Sequence, residues 1–248
     1  MRNRSTMRAV AKTWSRRMRR AGRALLNLLY PPLCLGCDRP ARGGAPLCHR
    51  CLNRLERTGP GAAWEQIARR PEAQAVLDDA FCGWRFDKGG TLQNVQHAIK
   101  YRNRPRYGIR MGRILGDALT ERPACRRVLH RAGLIVPVPL HQTRYLERGY
   151  NQSTMLGRGL GQVIGAEVES EALLRERATR SQTSLSHEER WRNVRGAFAT
   201  SDAAQPVGRR VVLVDDLLTT GATAGAAAQA LREAEAASVV LVTLALAR

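Results

Sequence analysis

The chain has 248 residues, 44% hydrophobic and 25% charged, proportions of an ordinary globular protein that exclude wholesale disorder and fibrous repeats. Its formal net charge of +20 is the outlier and favours a polyanionic or phosphorylated partner. No stretch reaches the roughly 20 apolar residues of a membrane-spanning helix, so no transmembrane segment is expected.

Residues 1–23 carry nine basic side chains and no acid. They read as a solvated basic arm, of the kind that touches nucleic acid or anionic lipid. The apolar run Ala24–Tyr30 is short, is interrupted by Asn27 and precedes no small-residue cleavage pattern, so it reads as a short helix rather than a secretory signal. Pro31 and Pro32 end it, because proline lacks the amide donor. A cytoplasmic location is therefore expected.

Four of the six cysteines fall in Cys34-Leu-Gly-Cys37 and Cys48-His-Arg-Cys51, ten residues apart. Two such knuckles bring four thiolates to one tetrahedral ion, and four thiolates leave no open position, so the expected Zn2+ is structural. His49, inside the second knuckle, is an alternative ligand or a solvated bystander. Cys82 and Cys125 lack knuckle partners and read as small apolar residues. The Thr58–Gly61 stretch then breaks any regular element, and Trp64–Leu77 has helical spacing interrupted by Pro71. The expected organisation is a basic arm over 1–23, a zinc ribbon over 24–80 and a larger domain over 81–248.

That larger domain alternates strands and helices. Phe81–Phe86 begins a strand; Leu92, Val95 and Ile99, then Ile109, Ile114, Leu115, Ala118 and Leu119, recur at helical spacing. Leu134–Val138 is a buried strand, and Leu156, Leu160, Val163 and Ile164 mark another helix. Val211–Val214 is a buried strand, Gly221–Ala237 an alanine-rich helix and Ser238–Ala247 a last strand. The fold class is α/β, with a parallel sheet covered on both faces.

Val211-Val-Leu-Val-Asp-Asp-Leu-Leu-Thr-Thr-Gly-Ala-Thr223 holds the most chemistry. A buried strand, two carboxylates and a hydroxyl-rich turn opening a helix put polar groups at the carboxyl end of a strand, where open α/β sheets bind ligands. Backbone amides of Thr220, Gly221, Ala222 and Thr223 can cradle a phosphate, and the helix dipole favours its charge. The hydroxyls of Thr219, Thr220 and Thr223 add donors. No lysine follows the glycine, which excludes a nucleoside-triphosphate P-loop. Asp215 and Asp216 are placed to accept hydrogen bonds from ribose hydroxyls or to hold a sugar-bound Mg2+.

The thirteen-residue segment resembles the phosphoribosyl-pyrophosphate signature of the type I phosphoribosyltransferases. Val136–Gln152, with Arg144, Arg148, Gly149, Tyr150, Asn151 and Gln152 in an exposed polar loop, adds guanidinium groups suited to diphosphate oxygens. Together with the ribbon, Ile99-Lys-Tyr-Arg102 and Arg180–Phe198, this ordering is similar to the ComF family over residues 25–248. That family joins a zinc ribbon to a type I phosphoribosyltransferase domain and is associated with DNA uptake during bacterial competence.

The resemblance implies that Asp215, Asp216 and Thr219–Thr223 hold ribose 5-phosphate, with the two acids as catalytic residues. It implies that Arg144–Gln152 hold diphosphate and that Arg180–Phe198 form a closing hood from which Arg180 and Gln182 reach inward. Ser186 and Glu189 have capping-box spacing inside that hood, and His187 is either a proton-transfer group or an exposed helix-start residue. Lys100 with Arg102 is either a further phosphate contact or a solvated helix end. The implied activity is a Mg2+-assisted transfer of phosphoribosyl to a nitrogen acceptor. The alternative is a non-catalytic accessory of single-stranded DNA uptake, whose partners would be DNA or a helicase-like competence protein.

Overall fold

The structure, a computed structural model, describes residues 32–176, 196–201 and 206–247. The basic arm, the apolar run after it and the hood positions Arg180, Gln182, Ser186, His187 and Glu189 lie outside the described residues.

The second cysteine knuckle runs into helix α1 (His49–Arg54), which is followed by α2 (Ala62–Ala68) and α3 (Pro71–Gln74). Pro71 starts α3 at a position where its missing N–H costs nothing. The chain continues through β1 (Asp79–Arg85), α4 (Thr91–Tyr101), α5 (Pro105–Thr120), α6 (Pro123–Leu129) and β2 (Leu134–Pro137). Next are α7 (Gln142–Arg148), α8 (Gln152–Ile164), β3 (Glu167–Val168), β4 (Leu173–Arg175) and β5 (Phe198–Thr200). Finally come β6 (Arg210–Leu218), α9 (Ala222–Glu233) and β7 (Ser238–Leu246).

Five strands form one parallel sheet in the order β1-β7-β6-β2-β3, while β4 and β5 make a separate antiparallel pair. Alternate residues of the central strands bury on opposite faces, as a pleat requires. Val211, Leu213, Val239 and Leu241 join Ala227 and Leu231 of α9 on one face. Val212, Val214, Val242 and Leu244 join Leu115 of α5 and Leu156 and Leu160 of α8 on the other. The expected doubly covered α/β sheet is therefore present.

Ala63, Ile67, Ala73, Val76 and Leu77, which precede the expected boundary at residue 80, pack in the same cluster as Leu213, Leu218 and Ala227. The ribbon joins the opposite cluster, where Cys34, Leu47 and Cys51 bury with Trp84, Leu92 and Val95. Asn94 of α4 also donates to the Leu35 carbonyl at 3.3 Å. The head is thus seated on α4 and β1.

One helix pair is unusually close. A Cβ placed on Gly112 of α5 would meet the Leu156 carbonyl oxygen at 2.0 Å, and one on Gly159 of α8 would meet the Ile109 carbonyl oxygen at 2.0 Å. Only glycine lets these two backbones touch, and the contact fixes α8 under the sheet end that carries the site.

The segment expected as an exposed loop over Arg144–Gln152 is folded instead. Residues up to Arg148 form α7, Gly149 caps it in the left-handed region at φ 73°, and Gln152 already opens α8. Tyr150, Asn151 and Gln152 are buried rather than exposed, because they knit the α7–α8 corner to its neighbours. Tyr150 donates its hydroxyl to the Ile99 carbonyl. Asn151 accepts from the Ser153 N–H at 2.9 Å and donates to the Val138 carbonyl at 2.9 Å.

Candidate functional site

Strand β2 pairs with β6 only as far as Pro137 opposite Val214, after which its chain turns away. Beyond that point β6 keeps its β7 partner but loses the other, and the gap is a crevice at the carboxyl end of the sheet. A cavity of about 220 Å³ occupies it, lined by Pro139, Leu140, Gln152, Arg175, Asp215, Asp216, Thr219, Gly221, Thr223 and Thr243 among others. A larger cleft of about 550 Å³, with Asp79, Arg127, Arg131 and Arg210 on its walls, lies at the strands' amino ends, away from this chemistry.

Within the turn, Gly221 has φ 82°, and a Cβ there would meet Ile67 at 2.8 Å. The left-handed residue opens α9 beside the cavity, which Gly221, Thr223 and Ala224 line, and a helix start leaves N–H groups without intrahelical partners. Thr219, Gly221 and Thr223 line the cavity; Thr220 is buried, and its hydroxyl accepts the Ala222 N–H at 3.4 Å. Gln66 of α2 donates to the Thr219 carbonyl and holds the turn from behind.

The two acids face different partners. Asp215 Oδ1 accepts from Ser153 Oγ at 2.9 Å and from the Asp216 N–H at 2.8 Å. Asp216 Oδ2 lies 2.5 Å from Lys100 Nζ, and its Oδ1 accepts from Gln152 Nε2 at 3.3 Å. Burial, and then the neighbouring Asp216 charge, push the Asp215 carboxyl up to about 7. Those effects outweigh its hydrogen bonds and the Lys100 charge, which act the other way. Burial pulls the Lys100 ammonium down, yet Asp216 and Asp215 together hold it above the ordinary lysine value.

Of the residues expected at the diphosphate, Arg144 is exposed on α7, and Arg148 stands over the Tyr101 ring at 5.2 Å. Arg148 also donates to Gln152 Oε1 at 2.9 Å. Neither Tyr150 nor Asn151 lines the cavity. One cavity group escaped the sequence reading. Arg175 of β4 reaches it from the antiparallel pair, 5.3 Å over the Phe198 ring; burial, then Arg144, depress this guanidinium while Asp215 opposes them. Gln152, within the segment expected at the diphosphate, does line the cavity and bridges Arg148 to Asp216. Lys100 is not a solvated helix end: its side chain is largely buried and pairs with Asp216.

In the head, the Sγ atoms of Cys34, Cys37, Cys48 and Cys51 all lie within 4.8 Å of one another, with Cys37 and Cys48 at 3.7 Å. Tetrahedral zinc with bonds of about 2.3 Å needs sulfurs roughly 3.8 Å apart, so the donor set fits. The Gly36 and Cys48 N–H groups point at Cys34 Sγ at 3.4 and 3.2 Å, which stabilises a thiolate. Burial pushes the Cys51 thiol up to about 12, so only a bonded cation would keep it ionised at neutral pH. His49 is outside the cluster and lies against Asn53. The four cysteines form a zinc-ribbon centre with a structural zinc site.

Comparison with known proteins agrees with both halves. Residues 25–66 match the double zinc ribbon domain family and residues 168–248 the phosphoribosyl transferase domain family. The chain is 34% identical over 209 residues to the DNA utilization protein YhgH of Escherichia coli K12, covering 84% of this chain and 81% of that one. It is 32% identical over 216 residues to YhgH of Salmonella typhimurium LT2, covering 86% and 90%. Over 101 residues it is 38% identical to competence protein F of Haemophilus influenzae, covering 40% of this chain and 44% of that one. A four-cysteine ribbon seated on a phosphoribosyltransferase fold, shared at such identity over four-fifths of the chain, makes this protein a member of the ComF family.

Proposed function

We propose that the crevice binds phosphoribosyl pyrophosphate and that the protein transfers its phosphoribosyl group to a nitrogen acceptor, releasing diphosphate. The observation that carries this reading is the joint placement of Asp215 and Asp216 above the first amides of α9 in one cavity of about 220 Å³. The amides and the Thr219 and Thr223 side chains suit a 5′-phosphate, and the carboxylates suit the ribose diol. Arg175, with Arg144 and Arg148 beyond it, supplies positive charge for the departing diphosphate.

The reaction breaks the anomeric carbon–oxygen bond and forms a carbon–nitrogen bond. Its transition state has oxocarbenium character with charge gathering on the leaving group. Two neighbouring carboxylates, one of them raised to about 7, are a donor set that Mg2+ would relieve; that ion would add charge stabilisation at the diphosphate. The chain's own residues hold the sugar and orient its anomeric carbon. The β4–β5 pair anchors both ends of the segment expected to close over the ligand and exclude water.

The test is diphosphate release from phosphoribosyl pyrophosphate with ammonia, amines and bases as acceptors. Release that requires Mg2+ and is lost in Asp215→Asn with Asp216→Asn supports the reading. No binding and no release with any acceptor overturn it.

A second reading is favoured by a different surface. A groove of about 610 Å³ between the ribbon and α5 is lined by Arg104, Arg106, Arg110, Tyr107 and Gly43. Among the described residues no carboxylate lies within 4 Å of those three arginines. Two curated relatives are named for DNA utilization and competence. On this reading the groove and the basic arm hold the backbone of single-stranded DNA during its uptake in the cytoplasm, with or without turnover in the crevice.

A further inference from the structure

Asp216 is held at its carboxylate and at its carbonyl. Lys100 Nζ lies 2.5 Å from its Oδ2, Gln152 donates to its Oδ1 at 3.3 Å, and Gln96 donates to its carbonyl at 2.9 Å. Gln96 and Lys100 stand four residues apart on α4, so one helix face delivers both. The Lys100 and Asp216 side chains are 22% and 10% exposed, in a setting where water screens charge poorly. Asp215 differs: its described partners are the Ser153 hydroxyl and the Asp216 N–H, both on Oδ1.

Two adjacent carboxylates in a largely buried crevice repel each other, and a neutral sugar diol brings no charge to offset that repulsion. Some cation must stand beside the pair before the diol can bind to ionised acids. In this fold the cation is supplied by the chain. We infer that Lys100 is a positioning residue, the built-in counter-cation of Asp216, through which the acid pair accepts ribose hydroxyls without a metal ion. A divalent ion then enters only with the diphosphate. The inference rests on the phosphoribosyl reading above and adds a division of labour between ammonium and metal.

The probe is ribose 5-phosphate, which carries the diol and the 5′-phosphate but no diphosphate. Its affinity for the full-length, zinc-loaded protein is measured by calorimetry in EDTA-washed buffer and again with millimolar Mg2+. The wild type is expected to bind equally in both, within twofold. Lys100→Gln, which keeps a hydrogen-bonding amide near Asp216, is expected to bind at least tenfold more weakly without metal and to recover when Mg2+ is added. A loss of mere packing would not be restored by a cation. Melting curves verify that the variant is folded, and the wild-type comparison needs no variant at all. Metal-dependent binding by the wild type, or metal-free binding by Lys100→Gln at wild-type strength, overturns the role of Lys100 while leaving the phosphoribosyl reading intact. No binding by the wild type under either condition overturns both.

Discussion

Ser153, in the first turn of α8, donates its hydroxyl to Asp215 Oδ1 across 2.9 Å, tying the helix that begins below the crevice to the acid at its rim. That bond and the Asp216 N–H favour the ionised carboxylate, yet burial and the Asp216 charge prevail and raise Asp215 to about 7. A carboxyl that titrates near 7 folded and near 3.8 unfolded binds its proton more tightly in the folded state. Through this group the ligand-free protein loses stability as pH rises from about 4 to about 7, and carries that group's full penalty above it.

Asp215→Asn removes this penalty while its amide oxygen can still accept from Ser153. The variant is expected to melt higher than the wild type at pH 8, at about 2–4 °C per kcal/mol relieved, and to match it near pH 4. The same change should weaken ribose 5-phosphate binding at pH 8 by about tenfold or more. Equal melting temperatures at both pH values would show that Asp215 titrates normally.

The ribbon gives a second expectation. One zinc per chain should be found by elemental analysis, and Cys51→Ser should lose it, because three thiolates hold the ion far less tightly than four. Since Cys34, Leu47 and Cys51 bury with Trp84 and Leu92, metal loss should also loosen the seat of α4. Limited trypsin digestion should then cut faster at Arg50 and Arg54, which lie on the folded helix α1 in the wild type. Stoichiometric zinc in Cys51→Ser would mean that another group completes the shell.

The α5–α8 contact gives a third. Gly112→Ala and Gly159→Ala each force a methyl into a carbonyl oxygen at 2.0 Å, so the helices must separate. The expected cost is about 1–3 kcal/mol or more, read as a lower urea midpoint at unchanged slope. Gly165→Ala, at a left-handed helix end with open space around it, should cost less, roughly 1 kcal/mol, by backbone strain alone.

What was legible in the sequence follows the range of the forces involved. Val211–Val214 and Ser238–Ala247 announce buried strands because their apolar runs are local, and the Thr219–Thr223 turn carries its own chemistry within five residues. The cysteine knuckles are legible for the same reason. Arg175 is not, because it reaches the cavity only through the pairing of β4 with β5, more than twenty residues apart in sequence. Lys100 meets Asp216 across 116 positions, and only the packing of α4 against the sheet end reveals that its charge is spent there. The polar run after Val138 looks like a loop residue by residue, but Tyr150 and Asn151 are satisfied by Ile99 and Val138 and so can be buried in a folded corner. The Gly108-x-x-x-Gly112-x-x-x-Gly116 spacing on α5 went unread in the sequence, although a Cβ on any of the three glycines would meet α8.

The arginine groove separates local charge from the diffuse attraction of a +20 chain. Each backbone phosphate neutralised on single-stranded DNA contributes about −0.7 to the slope of log affinity against log salt. Arg104 and Arg106 are exposed on the groove wall, and Arg104 also stands 5.9 Å over the Tyr107 ring. Arg104→Gln with Arg106→Gln should therefore lower the slope for a short single-stranded oligonucleotide by about 1.4 between 50 and 200 mM salt. Removing residues 1–23 should lower it as well, and independently, because the two sets of charges neutralise different phosphates. Arg126→Gln with Arg127→Gln, two exposed arginines of α6 at the opposite end of the sheet, is the control for net charge and should leave the slope nearly unchanged. An equal fall in both double variants would mean that DNA responds to total charge alone and that the groove is no binding track.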